Sequence, residues 1–357
     1  MNTPVTDDME DAATQPVDVV LTGTVFWDLV MTGLPRIPAN GEEIRADRMA
    51  TAPGGVANLA VAASRLGVST SLATTFGADM AGRFCSSMLA AEGIDLGSSR
   101  VCEGWTTPVT VSVTHAGDRR MFTHQSPAPV STDDLLAGVR PPRAALVDLD
   151  QLHSGQGASW TRAAADAGTA VIADIGFDET GQWDRGVLDE LAWCRAFLPN
   201  AVEAMGLTRR DSPREAARDL ADTVPVVVVT DGLSGAWAVD AGSGEECHVG
   251  AIPVPADQVV DATGAGDVFD AAFTWATLAG WPLGKRLDLA SLASSLAVRG
   301  LTGSMAAPGW AEIGAWWQGL GDSSDDQAMR RRFGFLADCA LDAPAVTPAP
   351  LTIGWDL

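Results

Sequence analysis

Seven consecutive residues, Asp261-Ala262-Thr263-Gly264-Ala265-Gly266-Asp267, stand directly before a strongly apolar helical segment. Small residues let the chain turn tightly into a helix, whose first N–H groups have no partner inside it. Together with the helix dipole, these groups form a place for an anion. Such a turn holds the charge that develops on a phosphoryl group in transfer. At its mouth, the Asp267 carboxylate is placed to take a proton from an attacking hydroxyl. The plainer reading is a Gly-rich turn with an acidic residue where the dipole favours one. The full string before an apolar helix favours the chemical reading.

The rest of the sequence supplies elements to hold this turn. Apolar runs at 19–22, 71–75, 144–147, 170–174 and 224–230 read as buried strands. Amphipathic segments at 55–66, 79–92, 159–167, 184–193, 213–223, 266–279, 287–298 and 310–320 read as helices. Strand-helix alternation predicts a mostly parallel sheet covered on both faces. Two stretches depart from it. Residues 28–50 are β-like and polar, and 107–124 read as a hairpin about Ala116-Gly117-Asp118. Together they predict a small separate sheet. A second hairpin is expected over 235–240 and 245–249. Beyond Asp322 the pattern decays into charge, then into Pro and Ala, with Trp355 placed to pin the end.

Composition removes several classes of function. Forty-six acidic residues against 23 basic ones give a formal net charge of −23, which repels nucleic acid and anionic membranes. No apolar run reaches the ~18 residues of a membrane span. The acidic, polar segment 1–16 resembles neither a secretory signal nor a transit peptide and reads as a disordered tail. Five cysteines without CxxC spacing suggest no zinc site or disulfide framework, so a cytoplasmic location is expected. The four histidines lack metal-binding spacing. Lys285 is the only lysine and lies outside any GxxxxGK[ST], which removes the P-loop kinases. No GxGxxG follows the first strand, which removes the dinucleotide-binding dehydrogenases.

The seven-residue string resembles the C-terminal signature of the PfkB carbohydrate kinases, DTxGAGD. An N-terminal signature is present as well, in Pro53-Gly54-Gly55-Val56-Ala57-Asn58-Leu59-Ala60 running on to Leu66-Gly67. Pro38-Ala39-Asn40-Gly41-Glu42 precedes it and Phe76-Gly77-Ala78-Asp79 comes after, in the family's order. The resemblance implies a ribokinase-like three-layer α/β fold with a small β-sheet lid. It implies a tail at 1–16, a kinase domain over 17–320 with a lid from about 28–50 and 107–124, and an extension at 321–357. It further implies ATP-dependent phosphorylation of a hydroxymethyl group on a sugar or sugar-like molecule. Asp267 would be the base, and Gly264, Ala265 and Gly266 the anion hole. Asp28, Gly54, Gly55 and Asn58 would bind the acceptor. Thr230, Asp231, Gly232 and Thr263 would lie at the nucleotide. Asn200 and Glu203, an NxxE, would help hold Mg2+ largely through water, although the same pair suits a helix cap. The segment 297–308 resembles one that closes over adenine and often helps bind a monovalent cation. Family members often pair their lids, so a homodimer is expected.

Several positions depart from the family pattern. Ala262 stands where Thr is common, and Phe26 where a ribose-binding Asn is found in ribokinase. Asp148 and Asp150 both lie near the position of a sugar-binding Glu. The acceptor site is therefore expected to be more apolar on one side than a ribose site, which leaves open other sugars, or a nucleoside whose base stacks on Phe26 or Trp27. A non-catalytic sugar-binding regulator on the same fold is the alternative from another class, and retention of Asp267 argues against it. Vitamin kinases of the wider superfamily generally lack the early Gly-Gly signature and the lid hairpin.

Overall fold

The structure is a computed structural model that describes residues 17–115 and 118–339. The expected tail at 1–16 and residues 340–357 of the expected extension, with Trp355, lie outside these residues, as does the hairpin turn at Ala116 and Gly117.

Fourteen strands are described, and eight of them build the main sheet. These are β1 (Val19–Thr22), β4 (Thr70–Ala73), β9 (Ala144–Asp148), β10 (Ala170–Asp174), β11 (Ala196–Phe197), β12 (Val226–Thr230), β13 (Ala236–Asp240) and β14 (Glu245–Val249). Their order across the sheet is β14-β13-β12-β11-β10-β9-β1-β4. The six strands from β12 to β4 run parallel, while β13 and β14 form an antiparallel hairpin at one edge. The period-2 side-chain alternation of a strand sorts this sheet into two cores. Leu146, Ile172, Val226 and Val228 face one core with the helices Val56–Arg65, Ala265–Leu278 and Leu283–Ala297. Ala145, Val147, Val171, Ala173, Val227 and Val229 face the other with the helices Ala201–Thr208 and Pro213–Leu220. Both faces are covered, which is why β12 tolerates the run Val-Val-Val-Val.

A second sheet has the order β3-β2-β7-β8, from β2 (Val25–Thr32), β3 (Arg48–Gly55), β7 (Val109–His115) and β8 (Asp118–His124). Between β2 and β3, residues 33–47 carry no strand, so less of 28–50 is β structure than its composition suggests. The remaining two strands, β5 (Thr75–Gly77) and β6 (Arg100–Cys102), pair with each other.

Two further elements differ from the sequence expectation. Residues Arg185–Trp193 form a 3₁₀ segment capped by Asp184, not an α-helix, although Val187 and Leu191 still point into the core. Where the sequence pattern decays into charge, Ser324–Arg332 form a helix. Its charges follow the dipole, with Asp325 and Asp326 in the first turn and Arg330, Arg331 and Arg332 in the last. Phe333 and Leu336, fully buried just beyond this helix, fasten its C-terminal end to the core.

One buried ion pair ties the early chain to the late chain. Arg65 donates from Nε and Nη2 to both oxygens of Glu92, and from Nη1 to the carbonyls of Met305 (2.9 Å) and Ala307 (2.7 Å). Only 5% and 1% of the two side chains is exposed. Removing one partner leaves the other charge buried and alone, at a cost of about 3–5 kcal/mol. Arg65→Met is expected to lower unfolding stability by that amount in a urea titration. The double variant Arg65→Met/Glu92→Gln should recover part of the loss.

Candidate active site

The turn into the helix Ala265–Leu278 is built as its residue types require. Gly264, the N-cap, has φ 74°, in the left-handed region. A Cβ there would also lie 2.5 Å from the Gly303 Cα and 3.1 Å from the Asn58 amide. The buried Asp261 carboxylate clamps the turn, accepting from the Thr263 N–H (3.0 Å) and the Thr302 N–H (3.1 Å). The helix start, with Ala265 and Gly266, therefore opens onto space.

That space is divided in two. On one side, a cleft of about 140 Å³ is lined by Ala265, Gly266, Thr230, Gly232 and three serines, Ser291, Ser294 and Ser295. Asp231 and Thr263 lie close by in sequence but are not among its lining residues. On the other side is a cavity of about 580 Å³, with Asp267 in its wall. It lies at the C-terminal ends of β1, β9 and β10, where open α/β sheets bind ligands. Thr22, Asp148 and Asp174, the last residues of these strands, all line it.

The predicted acceptor residues sit differently around this cavity. Gly55 lines it together with Phe26. Gly55 has φ 63°, and a Cβ would meet the Phe26 ring at 2.7 Å. Asp28 and Gly54 are not among the lining residues; they pack on each other, with the Asp28 carboxylate where a Gly54 Cβ would be, 1.8 Å away. Asn58 is buried and also outside the lining; its Nδ2 donates to Asp267 Oδ2 at 2.9 Å. The two sequence signatures, 209 residues apart, meet in this one hydrogen bond. Asp148 and Asp150 both line the cavity. Reading the sequence did not single out Asp174, Asp270, Gln125, Gln151 or Phe177, which line it as well. Two signals point to the carboxylates among them: Asp174 ends a parallel strand, and Asp270 stands three residues after Asp267, on the same helix face.

Asn200 and Glu203 form a reciprocal capping box at the helix Ala201–Thr208. Asn200 Oδ1 accepts from the N–H groups of Val202 and Glu203, and the Glu203 carboxylate accepts from the Asn200 N–H (2.7 Å) and its amide. A β-bridge places Asn200 beside Thr230. Burial pushes the Glu203 carboxyl up to about 7; the Asn200 hydrogen bonds oppose this, and Asp267 and Asp150 add to it. Burial likewise pushes Asp148 to about 6, with Asp150 adding. Asp174 and Asp270 are raised well above the usual carboxylate range, both first by burial; Glu203, Asp267 and Asp148 add to the rise of Asp174, and Asp174, Asp267 and Glu203 to that of Asp270. Among the described residues no three His, Cys, Asp or Glu are grouped to hold a metal directly. The mutual repulsion of these carboxylates suits a cation bound partly through water, the habit of magnesium.

A sequence-family model described as pfkB family carbohydrate kinase matches residues 18–307. Among characterised proteins, the chain is 29% identical over 295 residues to an ATP-dependent ribose-1-phosphate kinase of Halopiger xanaduensis, covering 82% of this chain and 95% of that one. It is 28% identical over 303 residues to the bifunctional protein HldE of Azotobacter vinelandii, covering 78% of this chain but only 60% of that longer protein. Among solved structures, ribokinase of Arabidopsis thaliana complexed with ribose and ATP superposes with a TM-score of 0.69 at 26% identity, covering 83% of this chain and 96% of that one.

The raised Glu203 value has a consequence for stability. A carboxyl whose folded pKa exceeds its unfolded one favours the native state at low pH, and this contribution is lost as pH rises through the folded value. For Glu203 the window runs from 4.5, the ordinary value, to about 7. Gln at this position keeps an acceptor for the Asn200 N–H, gives up the bond from the Asn200 amide at every pH, and cannot ionise. Without divalent cations, the melting temperature of Glu203→Gln relative to the parent should therefore rise across this window. The full effect is up to about 3 kcal/mol. A difference that stays flat from pH 4.5 to 8 would remove Glu203 from the set of buried, raised carboxyls.

Proposed function

The chain belongs to the pfkB family of carbohydrate kinases, and from that membership we propose that it transfers the γ-phosphoryl group of ATP to a hydroxymethyl group of a sugar or sugar-like molecule. The observation that carries the reading is the position of one helix start between two spaces. Ala265 and Gly266 line the small cleft, and Asp267 lines the large cavity.

The nucleotide is read into the cleft at Thr230 and Gly232, and the acceptor into the cavity. The Asp267 carboxylate takes the proton from the acceptor hydroxyl, and the hydroxyl oxygen attacks the γ-phosphorus in line as its bond to the β,γ-bridging oxygen breaks and ADP leaves. Asn58 donates to Asp267 Oδ2, which orients the carboxylate in the cavity wall. The N–H groups after Gly264 stabilise the charge that gathers on the phosphoryl oxygens, at a site whose geometry is set beforehand. Glu203, Asn200 and intervening water would hold magnesium, which supplies positive charge at the phosphates when bound. Asp28 and Gly54 shape the wall behind Phe26.

A nucleoside acceptor is the second reading. The Phe26 and Phe177 side chains face a cavity of about 580 Å³, a size that accommodates a base as well as a sugar.

A homodimer through the small sheet belongs to the same proposal. Leu29, Met31, Val111 and Val113 share one face with Met49 and Phe122, and the last two are 60% and 67% exposed. An apolar sheet face of this kind calls for a covering surface, and a second copy supplies one related by symmetry. A cytoplasmic location belongs to the proposal as well, on the spacing of five cysteines without CxxC.

Asp267→Asn is expected to lower turnover by ~10² to 10⁴ and to leave acceptor affinity nearly unchanged, since loss of a general base costs about this much. ADP release under saturating substrates, with acceptor binding measured separately, checks it, and a variant that keeps most of its turnover would end the assignment. Light scattering should give a dimer that Phe122→Glu converts to monomer; a monomeric parent at micromolar concentration rules the dimer out.

A further inference from the structure

The two spaces that meet at the helix start differ sharply in charge. Five carboxyl groups line the larger cavity: Asp148, Asp150, Asp174, Asp267 and Asp270. None of its described lining residues is Lys, Arg or His. His153 acts on Asp150 from outside that lining and is itself exposed. No Asp or Glu is among the described residues lining the smaller cleft. Among the described lining residues, a polyanionic donor therefore has a side free of carboxylates, and whatever enters the other side meets negative or neutral groups.

Asp270 is the most telling member. It is 3% exposed, lies one helical turn beyond Asp267 and reaches the cavity wall. Its backbone carbonyl accepts from Thr274, while among the described residues no hydrogen bond or ion pair engages its carboxyl group. Its carboxyl oxygens are not among the described buried atoms that lack a partner, so they open onto the cavity, where a ligand hydroxyl can take the place of water. Asp174 faces the same cavity from the end of β10.

We infer that Asp270, with Asp174, recognises hydroxyl groups of the acceptor and that the acceptor carries no phosphate or carboxylate of its own. This rests on the kinase reading and narrows it, by excluding sugar phosphates and sugar acids as substrates. A hydroxyl both donates and accepts, so it can satisfy a carboxyl group in either protonation state. The raised protonation of both carboxyls lets one of them donate in turn. An anionic acceptor meets like charge with no cation among the described lining residues to offset it, a juxtaposition that costs enough to reduce kcat/KM by about a hundredfold or more.

The test measures ADP release by the full chain with ATP and magnesium. The uncharged acceptors are D-ribose, D-fructose and adenosine; the anionic ones are ribose 1-phosphate, fructose 6-phosphate and gluconate. The best uncharged acceptor should exceed every anionic one by at least about a hundredfold in kcat/KM. An anionic acceptor that equals or beats it overturns the inference and leaves the kinase reading intact. No ADP release with any acceptor overturns the kinase reading, and the inference falls with it. Asp270→Asn should raise the KM of the best uncharged acceptor and narrow the gap to the anionic ones by about tenfold, with the KM for ATP unchanged. A gap unchanged in Asp270→Asn makes Asp270 purely structural and removes it from recognition. Should that variant not fold, Asp174→Asn gives the same readout, and the panel on the parent protein decides the charge class by itself.

Discussion

The organisation of this protein depends on one constraint, that the start of the helix Ala265–Leu278 must face open space while the backbone around it is held rigid. A helix start is ordinarily capped by a side chain. Here the N-cap is Gly264, which has no side chain to offer, and the rigidity comes from elsewhere. Asp261 grips both the turn and Thr302, and Gly264 lies so close to Gly303 that neither tolerates a Cβ. Ser304 donates to the Pro53 carbonyl at 2.6 Å, which fixes that loop to the end of β3. Arg65 holds the same stretch at Met305 and Ala307. Three distant parts of the chain are thus locked around a helix start that none of them fills.

The fold is what makes such a lock possible with few residues. A parallel sheet brings the ends of strands from distant sequence positions to one edge. Thr22, Asp148, Asp174 and Thr230 all arrive there on strands whose preceding residues are largely buried in the core. The same geometry crowds carboxylates together. Burial and mutual repulsion raise Asp148, Asp174, Glu203 and Asp270, each made worse by its neighbours. A core under selection for stability alone would not keep this group, because replacing such charges with apolar residues generally stabilises. Strain that persists in a cavity wall points to what the cavity binds.

Much of this was legible in the sequence because it depends on local rules. The alternation of apolar runs marked β1, β9, β10 and β12, and the Gly-rich strings marked both helix starts at Val56 and Ala265. Helix ends fell within four residues of those expected, with the starts at Pro213 and Trp310 matching, as propensity blurs at caps. The helix Ser324–Arg332 was missed because its apolar signal is weak, its stability resting on charge order and on Phe333 and Leu336 beyond it. Asp174 and Asp270 were missed for a different reason. Each sits in an ordinary strand or helix, and its chemistry exists only because the fold sets it beside carboxylates from other elements. Asn58 was singled out as an acceptor residue, and in the structure it touches the Asp267 carboxylate and is not among the residues lining the cavity. Residue type and order reveal which groups take part; only packing reveals which atoms they meet.

On the proposed reading, the NxxE pair would serve two demands with one local structure. As a capping box, Asn200 and Glu203 satisfy three backbone N–H groups at the start of a helix, which alone would account for both residues. A cap, however, does not require burial: on the next helix Ser212 caps the Glu215 N–H, and Glu215 is exposed. Glu203 is 8% exposed and lies within the electrostatic reach of Asp267 and Asp150. Each carboxylate oxygen that accepts from Asn200 retains further lone-pair capacity. The cap fixes the orientation of those lone pairs, and the bridge from Asn200 to Thr230 fixes their position beside the cleft. The hydrogen bonds from Asn200 also favour the ionised form, partly offsetting burial, so the box keeps available the charge that a cation would need.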